Sequence, residues 1–325
     1  MAGPIPTARP APRSPWTARR TSGLLAIALG LAATARPAAA AEAPARVATL
    51  LPFVQAALGR IEGPFEVVAV VRRDLDTPVA GAVADLGNPH APSFERLAEA
   101  RPTLVIGDDV LHAPGAAQLA IGGARVLLLD TRSIEATLAG LEEVGTAVGA
   151  AEAMRRETAA VRTRLAALTL PEPLATLAVF GTPGSFLVFT ERTWLGDLLA
   201  RLALANVGDV PGGNERFPGL VSLSDEVLAG LRPELVLLVA HGDPRAIEAS
   251  FVRRTAAGGP WSGLRERAAR GVHALDPDLF AANPGLDLTR AAEELVALAS
   301  GARGHGATTG GHSAMTGGHG VGARE

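Results

Sequence analysis

Along this chain, short apolar runs rich in β-branched residues alternate with amphipathic stretches. The alternation occurs twice, on either side of one long segment built from Ala, Glu, Arg and Leu. That order limits the fold more than any other feature. Strands separated by helical crossovers pair in parallel, and their helices cover both faces of the sheet. In the first half, residues 47–51, 65–71, 103–106 and 125–129 have the composition of strands, most of them bounded by Gly, Pro or Asp. Residues 53–61, 93–100 and 114–120 read as helices between them, the last with Pro114 at a first helical position, where its missing N–H is no loss. A helical stretch then runs from about residue 134 to 168, and its 151–168 part contains neither Gly nor Pro. A helix of roughly 20 residues spans about 30 Å. That is too long for a local crossover, so it is expected as a strut ended by Pro171 and Pro173. Beyond it, residues 177–180, 186–189, 235–240 and 273–275 read as strands, and 195–203, 226–231 and 288–300 as helices. The expected fold is α/β: two Rossmann-like lobes with mainly parallel sheets, residues 42–140 and 171–300, joined by one long interlobe helix within 141–170.

The two ends of the chain are different material. Arg9, Arg13, Arg19 and Arg20 precede an apolar stretch over residues 24–33, and four alanines follow at 38–41. Positive flank, short apolar core and small-residue site together predict a secretory signal peptide over residues 1–41. Its apolar core is too short for a permanent membrane anchor. The Arg19-Arg20 pair leaves general and twin-arginine export both open. No cysteine is present for lipid attachment, so a monomer free in the periplasm is expected. At the other end, residues 301–325 are dominated by Gly, Ser, Thr and Ala, with His305, His312 and His319 recurring every seven residues. Such a segment buries too little to offset its ordering entropy, so a disordered tail is expected, with loose metal collection as one use.

Composition excludes several kinds of chemistry. The 325 residues include no cysteine, which removes disulfides, zinc ribbons and thiol catalysis. All 30 basic residues are arginine, which removes lysine Schiff bases. A net charge of −3, without a basic stripe carrying aromatics, argues against a nucleic-acid partner. Tyrosine is absent and the only methionines are Met1, Met154 and Met315, so histidine is nearly the only strong ligand left for a transition metal or haem iron. Two histidines lie in short turn-forming peptides: His90 in Asp85-Leu86-Gly87-Asn88-Pro89-His90-Ala91-Pro92, and His241 at the end of the apolar run Leu235-Val236-Leu237-Leu238-Val239-Ala240. From the residues alone, each is either a solvated loop histidine or one of a pair facing across a cleft. His112, after another strand end, reads as a surface loop histidine, and His273 as structural.

Several segments, taken in order, resemble a known family. Pro92-Ser93-Phe94-Glu95-Arg96-Leu97-Ala98-Glu99-Ala100-Arg101-Pro102-Thr103-Leu104-Val105-Ile106 is similar to a signature of the substrate-binding proteins of iron-siderophore, haem and cobalamin ABC importers. A second copy of the idea is Val221-Ser222-Leu223-Ser224-Asp225-Glu226 running on to Leu231-Arg232-Pro233-Glu234-Leu235-Val236, and Trp194-Leu195-Gly196-Asp197 and Pro260-Trp261-Ser262-Gly263 also match. The Gly-Asn-Pro-x-x-Pro core after Asp85 and the ending Asp278-Leu279-Phe280-Ala281-Ala282-Asn283 resemble the haem-binding branch.

The resemblance implies a binding protein, not an enzyme, that carries a small-molecule ligand to an ABC permease. It implies His241 as one axial ligand of haem iron. It places His90 where the branch commonly has a methionine, so that a His/His pair replaces Met/His, which favours ferric iron. Asp85 and Asp243 are plausible orienting groups for the two rings. Arg72 and Arg73 are candidates for the haem propionates. Glu95 and Glu226 correspond to the carboxylates, one per lobe, that dock on permease arginines. A ferric siderophore or cobalamin is the alternative cargo. A metal chelatase-like enzyme is the remote alternative, for which no nucleophile–base pair, phosphate loop or carboxylate dyad is evident.

Overall fold

The computed structural model describes residues 43–72, 83–209 and 218–301, and the first alternation folds as expected. Strands β1 (Ala45–Thr49), β2 (Phe65–Val70), β3 (Ala84–Asp85), β4 (Leu104–Asp108) and β5 (Arg125–Leu129) are connected through helices α1 (Pro52–Leu58), α2 (Phe94–Ala100) and α3 (Ala116–Leu119). They form one sheet in the order β3-β2-β1-β4-β5, with every neighbouring pair parallel. The chain order reverses between β1 and β4, and open sheets of this kind bind ligands in the crevice beyond their carboxyl ends at that point.

Next come α4 (Ile134–Ala147), α5 (Ala151–Ala166), β6 (Leu174–Thr182), β7 (Ser185–Phe189), α6 (Trp194–Arg201), β8 (Leu204–Asn206) and β9 (Leu220–Val221). They are followed by α7 (Asp225–Gly230), β10 (Leu235–Ala240), α8 (Pro244–Thr255), α9 (Ser262–Arg267), β11 (Val272–Ala274), α10 (Pro277–Phe280) and α11 (Leu288–Ala299). The second sheet runs β11-β10-β6-β7-β9, with β8 beside the start of β6. Its β11, β10, β6 and β8 pairings are parallel, whereas β7 returns antiparallel along β6 and pairs antiparallel with β9. The return is a two-residue turn at Pro183-Gly184. The α/β class and the mainly parallel pairing therefore stand, with an antiparallel edge added.

The single long helix does not form. The stretch from residue 134 to 168 is a hairpin of two helices, α4 and α5, broken at Val148-Gly149-Ala150. Gly149 has φ +72°, and a Cβ there would stand 2.9 Å from Pro64 Cγ. Only glycine takes that left-handed turn without cost. The helices then fold back on each other. Arg162 near the end of α5 pairs with Glu135 at the start of α4 at 2.7 Å and also holds Glu142, and Glu142 accepts the Thr158 hydroxyl proton at 2.7 Å. Only α5 corresponds to the Gly- and Pro-free segment.

The alternation of side chains along the strands divides the interior into layers. Val47, Leu104 and Ile106 of the first sheet share one apolar cluster with Leu138 and Leu141 of α4, Leu165 of α5, Leu295 of α11, and Leu235, Leu237 and Val239 of β10. The opposite faces have their own clusters. Ala48, Leu50 and Val105 pack with Leu97 and Leu119, while Val236, Leu238 and Ala240 pack with Ile247, Phe251 and Trp261. The middle cluster is common to both sheets, and the described residues from Ala43 onward belong to one compact unit.

Candidate ligand site between two histidine loops

The His90 loop leaves the edge strand β3 and enters α2, and short hydrogen bonds shape each step. The Asp85 carboxylate accepts the Gly87 N–H at 2.8 Å through one oxygen and pairs with Arg72 Nε at 2.8 Å through the other. The Asn88 side chain accepts the His90 N–H at 2.8 Å, and its carbonyl accepts the Ala91 N–H at 3.1 Å, closing a turn of the kind asparagine favours. Ser93 donates its N–H to the Leu86 carbonyl at 2.9 Å and caps α2 by accepting from Arg96 N–H. The Arg96 guanidinium returns to the Asp85 carbonyl at 2.8 Å. His90 itself is solvent-exposed at the tip.

His241 stands on firmer ground. It follows β10, a strand buried along its whole length, and its N–H donates to the Gly181 carbonyl at 2.8 Å, extending the ladder with β6 by one residue. Its ring lies 5.4 Å from the Phe180 ring at a tilt of 33°, with the Ala281 backbone near enough to favour its protonated form. The residue is exposed as a whole, yet the protein crowded around its ring desolvates it. That burial pushes the His241 pKa below the ordinary histidine value, the neighbouring His90 adds to the effect, and the Ala281 backbone opposes it. The Ala281 segment is fixed in turn by Asn283, whose buried side-chain amide donates to the Thr131 carbonyl at 3.1 Å and to the Thr137 hydroxyl at 2.7 Å.

The fold brings the two histidines together. Their ring centroids are 6.1 Å apart and the rings stand at 84° to each other. A metal bonded at about 2 Å to one imidazole nitrogen on each side would hold the centroids roughly 6 Å apart. Rotation about each metal–nitrogen bond leaves the angle between the rings free. Among the described residues, no group of three or more His, Cys, Asp or Glu side chains is gathered for a bare ion. A metal that arrives in its own chelate needs only the two remaining positions.

His112 departs from the sequence reading. It is buried, only 6% exposed, with both ring nitrogens engaged. Nδ1 accepts the Asp108 N–H at 2.8 Å, and Nε2 lies 3.0 Å from the carbonyl of Pro89, the residue before His90. Burial is the first cause lowering its pKa. A position beyond a strand end made it look like a surface residue, whereas the loop after β4 turns it back under the His90 loop.

The remaining candidates are placed as follows. Asp85 holds Gly87 and Arg72, and Asp243 caps α8 by accepting the Arg245 and Ala246 N–H groups at 3.0 and 3.2 Å. These carboxylates therefore serve the backbone and Arg72. His273 lies on β11, its Nε2 2.7 Å from the Arg270 carbonyl. Glu95 and Glu226 are exposed in the first turns of α2 and α7, each beside an exposed apolar residue, Phe94 and Val227 respectively. Arg73, the tail histidines and the N-terminal segment lie outside the described residues. Phe180 joins the site without having been singled out, since nothing local marks a phenylalanine as packed against a histidine ring.

Comparison with known proteins agrees with this architecture. The sequence pattern of a family described as periplasmic binding protein matches residues 42–243. The chain is 22% identical over 219 residues to the high-affinity heme uptake system protein IsdE of Staphylococcus aureus, covering 66% of this chain and 73% of that one. The crystal structure of that protein complexed with heme superposes with a TM-score of 0.66 at 20% identity, covering 78% and 98% of the two chains. An ABC transporter substrate-binding protein from Listeria monocytogenes superposes at 0.67 with 19% identity and coverage of 78% and 98%. The siderophore binding protein BauB, bound to acinetobactin and ferric iron, superposes at 0.59 with 18% identity and coverage of 81% and 94%.

Proposed function

We propose, for a chain that belongs to the periplasmic binding protein family, that it is the haem-binding component of an ABC importer, holding iron porphyrin between His90 and His241. Members of the family are substrate-binding proteins that work with an ABC permease. The observation that carries the finer reading is the 6.1 Å separation of two imidazoles supplied by two different sheets. A porphyrin occupies four positions around its iron, so one imidazole on each face completes six-coordination. Neutral rings are required for this, and the depressed His241 pKa keeps that ring in the ligating form.

Arg72 lies at the carboxyl end of β2, where a propionate would share the guanidinium now paired with Asp85. Arg73 is the second candidate for that role. Glu95 and Glu226 present one carboxylate from each half to permease arginines, and the histidine-rich tail collects metal or haem loosely. The site of action is the periplasm, reached through the signal peptide.

Adding ferric haem to the purified protein tests the reading. A low-spin, six-coordinate absorption spectrum is expected, turning high-spin or vanishing in His90→Ala and His241→Ala. No stable Soret shift, or an unchanged spectrum in both variants, overturns it. Retention of a ferric siderophore in place of haem favours the alternative cargo. Removing residues 301–325 should leave high-affinity binding intact.

A further inference from the structure

We infer that His112 is a positioning residue for the bound ligand: its doubly hydrogen-bonded ring holds the His90 loop where His90 meets the iron. The inference rests on the reading of His90 as an axial ligand. Its geometry is independent of that reading. The Asp108 backbone N–H can only donate, so His112 Nδ1 must offer a lone pair at 2.8 Å. A neutral ring then carries its proton on Nε2, which donates it to the Pro89 carbonyl at 3.0 Å. Both partners are backbone groups, and together they dictate one tautomer and one ring orientation.

The surroundings are built around this ring. Gly107, on β4, leaves it room, since a Cβ there would stand 3.0 Å from Nδ1. The Asp108 carboxylate receives the Val110 and Leu111 N–H groups at 2.9 and 2.8 Å on one oxygen, and the Thr131 hydroxyl at 2.6 Å on the other. The turn that carries His112 is thereby fixed to the ends of β4 and β5. The Pro89 bond then links that rigid end to a loop that leaves β3, three places away in the sheet. Among the described residues, the other bonds of the His90 loop lie within it or toward its stems, at Asp85, Leu86, Asn88 and Ser93, with the Gly87 carbonyl accepting the Arg72 N–H at 3.1 Å. Among the described residues, His112 is thus the side chain from another strand end that ties the tip, at Pro89, to the crevice. Without it, placing His90 would cost conformational entropy at each binding event.

The test uses the full chain. His112→Phe keeps the ring's bulk and removes both hydrogen bonds, while His112→Gln retains a donor that reaches Pro89. Loss of a group that orients a metal ligand typically weakens binding by about 10- to 100-fold. His112→Phe should lose haem affinity within that range and shift the ferric spectrum toward a five-coordinate, high-spin form still bound by His241. His112→Gln should recover most of both. A low-spin wild-type spectrum that depends on His90, together with unchanged spectrum and dissociation rate in His112→Phe, overturns the inference and leaves the site reading standing. A wild-type spectrum indifferent to His90 overturns the site reading itself. A second measurement needs no variant: nitrogen-detected NMR of the ligand-free protein should show His112 neutral, with its proton on Nε2 and slow exchange. A proton on Nδ1, or rapid exchange, overturns the inference.

Discussion

Desolvation favours neutral imidazole at His112 and His241, and acid works against it. Burial lowers the pKa of His112 and of His241 in the folded protein, while an unfolded histidine titrates near 6.5. Between the folded and unfolded values the unfolded chain binds more protons, so stability rises with pH across that interval and is lost as pH falls through it. The melting temperature of the ligand-free protein should therefore drop below about pH 6.5, and His112→Phe should flatten that drop. Haem affinity should fall only at lower pH, as pH drops through the depressed folded value of His241 and a proton competes with iron for that nitrogen. At this scale the sequence was partly informative. His90 and His241 stand out because each lies in a peptide of turn formers at a strand edge or end. The contact that ties the His90 loop, from His112 to the Pro89 carbonyl, does not. Its role depends on which backbone groups arrive nearby after folding, and no local pattern encodes that.

Single helices and turns carry the next level of constraint. Gly149 separates α4 from α5 through a left-handed backbone, so Gly149→Ala should cost about 1–2 kcal/mol, read as a lower denaturation midpoint with unchanged slope. That break escaped the reading of one strut because the stretch has three glycines, and two of them, Gly140 and Gly145, do lie inside α4. The deciding facts are its φ and the Pro64 ring beside it, and both are tertiary. The strands and their order of alternation were legible, since β-branched runs bounded by Gly and Pro leave few other choices. The antiparallel return of β7 was not, because the same apolar run suits either direction.

The two helix starts that hold Glu95 and Glu226 are built alike, each capped by a serine, Ser93 and Ser224. α7 is further anchored by Asp225, which accepts the Trp261 indole proton at 2.8 Å and pairs with Arg254 at 3.4 Å. Glu95→Arg and Glu226→Arg should impair ligand uptake in cells while the purified variants keep wild-type haem affinity. Reduced affinity in either variant would argue against a docking role.

At the scale of the whole molecule, the apolar cluster between the sheets decides how the halves behave. Leu141 of α4 is fully buried in it, together with residues from both sheets. Leu141→Ala should cost about 2–5 kcal/mol, and it should lower the stability of strands in both halves equally when followed by amide exchange. The overall α/β class needed only the alternation of elements. That the two halves share one interior was hidden, because hydrophobic periodicity marks which face is buried without naming the element that covers it.

A shared interior also changes what the chain can do in isolation. Neither half, cut at the hairpin, retains a closed core, so each should be a substrate for proteases and chaperones instead of a folded fragment. The chain then passes its point of commitment late, only once α11 has emerged to complete the middle layer. Resistance to proteolysis should accordingly appear in one step near the end of synthesis, not in two.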